Sequence, residues 1–308
     1  MTPFADRLHR ASLKNGSVLV AGCDPVIEKL PGFILDRADS HSSTSAEFVS
    51  NALDSFVDAF VAAVKDRVAA VKPNSAFFEQ YGLAGLTSLK RLCDLFRAVH
   101  IPVIMDAKRG DIGSTAAAYS SAFLGSTQIR GRKIDAFESD ALTVNPFLGF
   151  DTLEPFLSDC EKHGKGIYVL VQTSNPGAKA LQGLHSDGRT VSEHVAQWLA
   201  DNAHRLQGEC GWSGLGAVVG ASYPQEARDL RKILKTNLFL IPGLGAQGAA
   251  ATDSVAGFGV HNGEKGGGSV NVSRGLLEGK AENAESLVQL IQKNADGFNA
   301  QLREALRA

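Results

Sequence analysis

Cysteine is scarce in this chain of 308 residues: there are four, and none stands in a C-x-x-C pair. Cys23, Cys93, Cys160 and Cys210 lie far apart, which argues against both a zinc site and a disulfide framework. Small buried thiols in a reducing cytoplasm are expected. Charge of one sign is not in excess either. The 31 Lys and Arg against 33 Asp and Glu leave a formal net charge of −2, too weak a field to draw in nucleic acid or an anionic membrane. Any anionic ligand must therefore be held by local groups. No apolar run approaches the ~18 residues that span a bilayer, and Met1–Arg7 lacks the apolar core of a signal peptide. The eight histidines are scattered, with no two at ligand spacing, so no metal is expected. Trp198 and Trp212 lack a basic, aromatic context and read as packing residues. No repeat recurs at a solenoid period.

What is present is an alternation. With 44% hydrophobic and 21% charged residues, the chain can bury a large core without staples. Short apolar runs, rich in β-branched residues, read as strands at Ser17–Ala21, Val68–Lys72, Val103–Ala107, Ala141–Val144, Gly166–Val171, Gly216–Gly220, Leu238–Ile241 and Ser269–Val272. They are nearly continuous rather than alternating, the pattern of parallel strands covered on both faces. Amphipathic helices lie between them, over Phe48–Val64, Leu83–Val99 and Pro224–Leu234. Eight strands with helical crossovers predict an α/β fold, a (β/α)8 TIM barrel formed as a single domain over 1–308. The competitor is an open doubly wound sheet. It would want a Gly-rich dinucleotide turn after the first strand, and Gly22-Cys23-Asp24-Pro25 is not one. Leu35–Ala46, Ser126–Ser139 and Gly257–Gly268 break the rhythm and read as surface insertions.

The densest chemistry is Met105-Asp106-Ala107-Lys108-Arg109-Gly110-Asp111-Ile112-Gly113. Asp106 and Lys108 are two apart and so project to one side of the third strand. Asp111 follows in the turn before a helix. Desolvating one ion costs several kcal/mol, which only a paired network offsets. A strand that simply runs out into solvent would carry the same letters, so the D-x-K-x-x-D spacing by itself leaves both readings open. Together with Lys72, these residues could alternate in sign, keeping both amines protonated and both carboxylates ionised. A protonated lysine is a poor Schiff-base nucleophile but a good proton donor and carbanion stabiliser.

Other strand ends are polar too. Asp24, Lys72, Thr143, Asn145, the run from Gln172 to Gly177, Ser222 and Ser273-Arg274-Gly275 all follow or close an apolar run, where barrel enzymes place their sites. After the seventh strand, Gly243, Gly245 and Gly248 would let backbone N–H groups approach an anion. Gln247 could add its amide, and Arg274 a planar fork for phosphate oxygens. A plain turn would explain the glycines alone. With Arg274 after the eighth strand, a phosphate site explains more.

These stretches resemble a known family. MDAKRGDIGSTAAA over Met105–Ala118, VKPNSAF over Val71–Phe77, TVNPFLG over Thr143–Gly149, SNPG over Ser174–Gly177, PGLGAQ over Pro242–Gln247 and VSRG over Val272–Gly275 are similar to orotidine 5′-phosphate decarboxylases, in particular their longer, type 2 branch. The resemblance covers nearly the whole chain in order, with Cys23 standing where an aliphatic residue is expected. It implies a cofactor-free dimeric barrel enzyme converting orotidine 5′-phosphate to UMP and carbon dioxide, the last step of de novo pyrimidine synthesis. Lys108 then resembles the proton donor to C6, Asp106 the carboxylate facing the substrate carboxylate, and Lys72 the lysine linking the array to the ribose. Asp111 and Thr115 resemble residues that complete the neighbouring subunit's site. Asp24 resembles a ribose ligand, Ser174 the pyrimidine contact, and Gln247 and Arg274 the phosphate ligands. Gly245 and Asn145, at strand ends, join them as candidate substrate ligands. Rival readings are a related metal-dependent sugar-phosphate decarboxylase or hexulose-phosphate synthase, a Schiff-base aldolase, and a non-catalytic UMP-binding sensor.

Overall fold

The computed structural model describes residues 1–245, 249–261 and 263–308. Eight parallel strands form its centre: Leu19–Cys23, Ala70–Pro73, Ile104–Arg109, Ala141–Val144, Gly166–Gln172, Ser213–Val219, Asn237–Pro242 and Gly268–Val272. Counted one to eight, each pairs with its neighbour in sequence from the third to the eighth; the eighth pairs with the first, and the first with the second. The ring closes between the second and third through parallel bridges from Val71 to Val103 and from Asn74 to Asp106. Across that seam the Val71 N–H donates to the Pro102 carbonyl at 2.9 Å and the Ser75 N–H to the Asp106 carbonyl at 3.2 Å. Helices lie between successive strands, so the architecture is the expected (β/α)8 barrel.

Most strand boundaries shift by one to three residues from the sequence reading, two of them for clear local reasons. The first strand starts at Leu19 because Ser17 turns aside, donating to Asn299 Oδ1 of the last helix at 2.7 Å. The sixth starts at Ser213, upstream of the expected Gly216. Its glycines hid it from a β-propensity reading, yet the whole run is buried.

Alternation along the strands sorts residues onto two faces. Val20, Ala70, Ile104, Ala141, Tyr168, Val218, Leu238 and Leu240 pack together in the lumen with Phe4, Ala5 and Leu8 of the first helix, Phe4–Asn15. Intervening residues such as Leu19, Ala21, Val71, Met105, Leu142, Val169 and Phe239 pack outward against the helices. Phe4 meets Tyr168 edge to face, ring centroids 6.0 Å apart, and so plugs the end of the barrel where the strands begin. Continuing the same alternation toward the other end puts Lys72 above Ala70, Asp106 and Lys108 above Ile104, and Thr143 above Ala141. The lumen therefore has an apolar floor and an ionic top.

Three of the helices begin where side chains satisfy free N–H groups. Thr44 and Glu47 form a capping box for Ser45–Val64, Thr190 and Glu193 one for Val191–Asn202, and Asn283 and Ser286 one for Ala284–Arg307. This revises the reading of Leu35–Ala46 as a surface insertion. Its first half belongs to a helix, Gly32–Ser40, whose Ile34 and Ala38 are buried one turn apart; its second half caps the next helix. The polar residues that suggested a loop occupy the exposed end of that helix and the turn that leads to the next. Ser126–Ser139 does contain an exposed hairpin, Thr127–Ile129 with Arg132–Ile134, turning through Arg130 and Gly131 at positive φ. Gly257–Gly268 holds another, Gly259–His261 with Glu264–Gly266. A third, His185–Ser186 with Arg189–Thr190, was not anticipated, although Asp187-Gly188 is a standard hairpin turn signal.

Phe4 is 1% exposed and is the barrel's plug. Phe4→Ala is expected to lower unfolding free energy by about 3–5 kcal/mol, measured by urea denaturation; a loss under about 1 kcal/mol would mean that the floor is held by something else.

Candidate active site

The third and fourth strands do not stay in step. Met105 pairs with Leu142 and Arg109 with Val144, so three residues of one strand face a single residue, Thr143, of the other. The excess is taken up at Lys108, whose φ of 47° is left-handed, an uncommon state for a residue with a side chain. Gly110 then brings the chain against the Asn145 carbonyl, which a Cβ there would meet at 2.7 Å.

This bulge assembles the ionic centre. Lys72 Nζ donates to Asp106 Oδ2 at 2.6 Å and Lys108 Nζ to Asp106 Oδ1 at 2.6 Å. The Thr143 hydroxyl donates to Asp106 Oδ1 at 3.0 Å and accepts the Lys108 backbone N–H at 2.9 Å. The Lys72 and Asp106 side chains are 6% and 10% exposed; that of Lys108 is 48% exposed. Burial pushes the Asp106 carboxyl up, but Lys72 and then Lys108 outweigh it and hold the acid well below the usual carboxylate range. Burial pulls Lys72 down, and Asp106 followed by Asp24 outweigh it, holding the ammonium above its ordinary value. Asp106 thus stabilises the fold at neutral pH, and that contribution is lost only as pH falls through its depressed pKa. The contribution of Lys72 is present below its ordinary pKa and is lost as pH rises through the raised one.

Asp24 stands just past the first strand. Burial raises its pKa, with Lys72 as the main opposing influence. Its Oδ1 is buried and meets no hydrogen-bond donor among the described residues. A Cβ on Gly22 would lie 1.8 Å from Ser273 Oγ, so only glycine lets the first and eighth strands approach here.

The fifth loop is folded back on its own start. The Gln182 amide accepts from the Thr173 N–H at 2.9 Å and donates to Thr173 Oγ1 at 2.8 Å. Next to this clip, half-buried Ser174 lies against Gly220, where a Cβ would come within 2.9 Å of the serine Cβ. Gly245 is exposed with φ 74°, and Arg274 is exposed immediately after the eighth strand. Gln247 and Gly248 lie outside the described residues. Asn145 is exposed, its Oδ1 accepting the Phe147 N–H at 3.1 Å.

The expected quartet is therefore three-quarters assembled within one chain. Asp111 is half-buried in the turn, its Oδ1 accepting the Ile112 N–H at 2.8 Å, and it forms no ion pair with either lysine among the described residues. Asp24 is the second carboxylate whose charge reaches Lys72. Thr115 is exposed in the first turn of helix Gly113–Phe123. The sequence reading placed Thr143 at a strand end but gave it no role. Its signal was position: two residues after Ala141, it shares the lumen face with Asp106.

A sequence model of the orotidine 5′-phosphate decarboxylase / HUMPS family matches residues 47–288. The chain belongs to the orotidine 5′-phosphate decarboxylase / HUMPS family. Among its relatives, an orotidine 5′-phosphate decarboxylase of Rhodopirellula baltica is 44% identical over 254 residues, 82% of each chain. One of Deinococcus radiodurans is 39% identical over 295 residues, covering 92% of this chain and 95% of its own. The solved structure of Leishmania donovani OMP decarboxylase superposes with a TM-score of 0.73 at 28% identity, covering 100% of both chains. Family membership makes the ionic cluster at the strand ends the candidate active site. Among the described residues no group of three or more His, Cys, Asp or Glu is arranged to hold a metal ion, and no helix is long and apolar enough to cross a membrane.

A half-buried carboxylate with one oxygen that meets no donor among the described residues costs the free protein stability. Its raised pKa means that Asp24 binds protons more tightly folded than unfolded, so its ionisation opposes folding as pH rises. Asp24→Asn is expected to raise the thermal midpoint of the ligand-free protein at pH 7 and to weaken UMP binding. Calorimetry of both variants checks this; a lower midpoint with unchanged UMP affinity would remove Asp24 from the site.

Proposed function

We propose that the chain, over 1–308, works as one barrel domain that decarboxylates orotidine 5′-phosphate to UMP and carbon dioxide, the closing step of de novo pyrimidine synthesis, without a cofactor. The observation that carries this is one desolvated carboxylate held between two ammonium groups, each at 2.6 Å, at the end of the barrel opposite its plug. The names of the relatives supply the substrate.

The chemistry follows from the charges. The bond from C6 to the substrate carboxylate breaks, carbon dioxide leaves as a neutral molecule, and the electron pair stays on C6 in an orbital the ring does not conjugate well. A cation fixed beside C6 lowers the energy of that charge without reorganising. Lys108 can serve, because its ammonium is anchored on Asp106 yet half exposed; Lys72 is buried behind the same carboxylate. Lys108 then passes its Nζ proton to C6 and is reprotonated from solvent. Asp106, next to the departing carboxylate, keeps the ammonium aimed. Lys72 neutralises Asp106 and reaches toward the ribose.

The remaining ligands fit the rest of the nucleotide. Asp24 Oδ1, lacking a donor among the described residues, suits a ribose hydroxyl. Ser174 suits the pyrimidine edge, and the Asn145 amide is left to donate because its oxygen is committed to Phe147. Arg274, Gly245 and Gln247 would take the phosphate, whose binding energy, spent far from C6, can be used to close loops over the site. A homodimer completes the proposal, with Asp111 and Thr115 serving the neighbouring site. In its favour, Asp111 does not reach its own lysines, and Ile112 beside it and Phe147 on the adjacent loop are 62% and 71% exposed, an apolar surface suited to a second copy. Four free thiols, three of them buried, suit a reducing cytoplasm.

Purified protein treated with EDTA is expected to consume orotidine 5′-phosphate, followed by its absorbance, with release of carbon dioxide. Activity that vanishes with EDTA and returns with magnesium would favour the metal-dependent sugar-phosphate branch, and UMP binding without turnover would favour a sensor. Lys108→Ala should lose kcat by three orders of magnitude or more, on the order of the electrostatic and acid–base terms combined, while still binding UMP. Near-normal turnover would refute the assignment.

A further inference from the structure

We infer that Thr143 is a positioning residue for the decarboxylation, holding Asp106 and the backbone of Lys108 in one geometry through its single hydroxyl. The inference rests on the reading of Lys108 as proton donor.

The bulge creates the need. Between the Met105–Leu142 and Arg109–Val144 pairs, the third strand carries Asp106, Ala107 and Lys108 while the fourth carries Thr143 alone. Strand N–H groups point alternately to the two neighbouring strands, and the extra residues of a bulge leave one that faces the fourth strand out of step with its carbonyls. The Thr143 side chain takes the backbone N–H of Lys108, at 2.9 Å, in place of a carbonyl. This bond stands at the residue whose left-handed φ of 47° aims the ammonium into the lumen. Such a conformation costs energy and persists only where its surroundings hold it.

The same oxygen acts on the carboxylate. Its one proton goes to Asp106 Oδ1 at 3.0 Å, the oxygen that also accepts Lys108 Nζ at 2.6 Å. Thr143 is 1% exposed, so water does not compete for either bond. Its hydroxyl is therefore fully used, closing a ring from the Lys108 backbone through Thr143 and Asp106 back to the Lys108 ammonium. Only a side chain with both a donor and an acceptor on one atom can do this, which excludes Val at the same volume. Losing the ring would free both the carboxylate and the bulge. The ammonium would wander from C6, although the distant phosphate and ribose ligands would be untouched. Loss of orientation acts on the chemical step rather than on binding.

The test compares Thr143→Val, Thr143→Ala and Thr143→Ser, with Lys108→Ala as the reference, through kcat, KM and UMP affinity. The Val and Ala variants are expected to lose kcat about 10- to 100-fold, the scale of a hydrogen bond to a charged group, with UMP affinity within about twofold of the parent. Thr143→Ser should recover kcat to within about threefold. If Val does not fold, the Ala and Ser pair carries the same comparison. Unchanged kcat without the hydroxyl, equal losses in Ser and Ala, or a loss of UMP affinity matching the loss of kcat would each overturn the inference. Should Lys108→Ala itself remain active, the proton-donor reading fails; should it be inactive while Thr143→Val matches the parent, only the role of Thr143 fails.

Discussion

The site depends on one carboxylate that is denied water. Asp106 would be prohibitively costly inside the barrel on its own, since moving an ion out of water costs several kcal/mol even after the protein relaxes. Two ammonium groups at 2.6 Å and a hydroxyl at 3.0 Å take the place of its hydration shell. Neither lysine is free to leave without stranding it. That mutual dependence turns flexible four-carbon side chains into fixed charges, and fixed charges need no reorganisation when charge appears on a substrate carbon.

The barrel supplies what the ions cannot. Lys72, Asp106 and Thr143 come from three different strands, so their distances are set by strand spacing and stagger. The third strand's bulge corrects that stagger locally, carrying Lys108 over Asp106. Below them an apolar floor, plugged by Phe4 against Tyr168, keeps solvent from reaching the ions from beneath. The low-dielectric floor strengthens the Coulomb interactions of the ions packed above it.

Polar groups that are over-satisfied and under-satisfied lie side by side here. Asp106 has three donors, whereas Asp24 Oδ1, close enough for its charge to bear on Lys72, has none among the described residues. A fully paired network rigidifies. An unpaired buried acceptor leaves a cost that a ligand hydroxyl can relieve. The proposed division follows that contrast: the paired end performs the chemistry, and the unpaired end recognises the nucleoside.

The chain's pattern of short apolar runs and amphipathic stretches determined the eight strands and their parallel, two-sided burial. The D-x-K-x-x-D string, whose Asp106 and Lys108 lie two and four residues on from Ile104 and so in phase with it, determined that the two share a face. Glycine-rich starts such as Ser213-Gly214-Leu215 escaped notice because propensity measures side-chain packing, and glycine has none. Leu35–Ala46 misled because its helix carries its apolar residues early, with Phe33 and Ile34 lying before the segment. Only the tertiary structure decided that Lys72, 34 residues before Asp106, lands on its second oxygen, that Asp111 stays outside the one-chain cluster, and that Thr143 closes the ring. Those outcomes depend on the stagger between strands and on a bulge that inserts two extra residues, and neither the period nor the composition of a single strand records how far it slides along its neighbour.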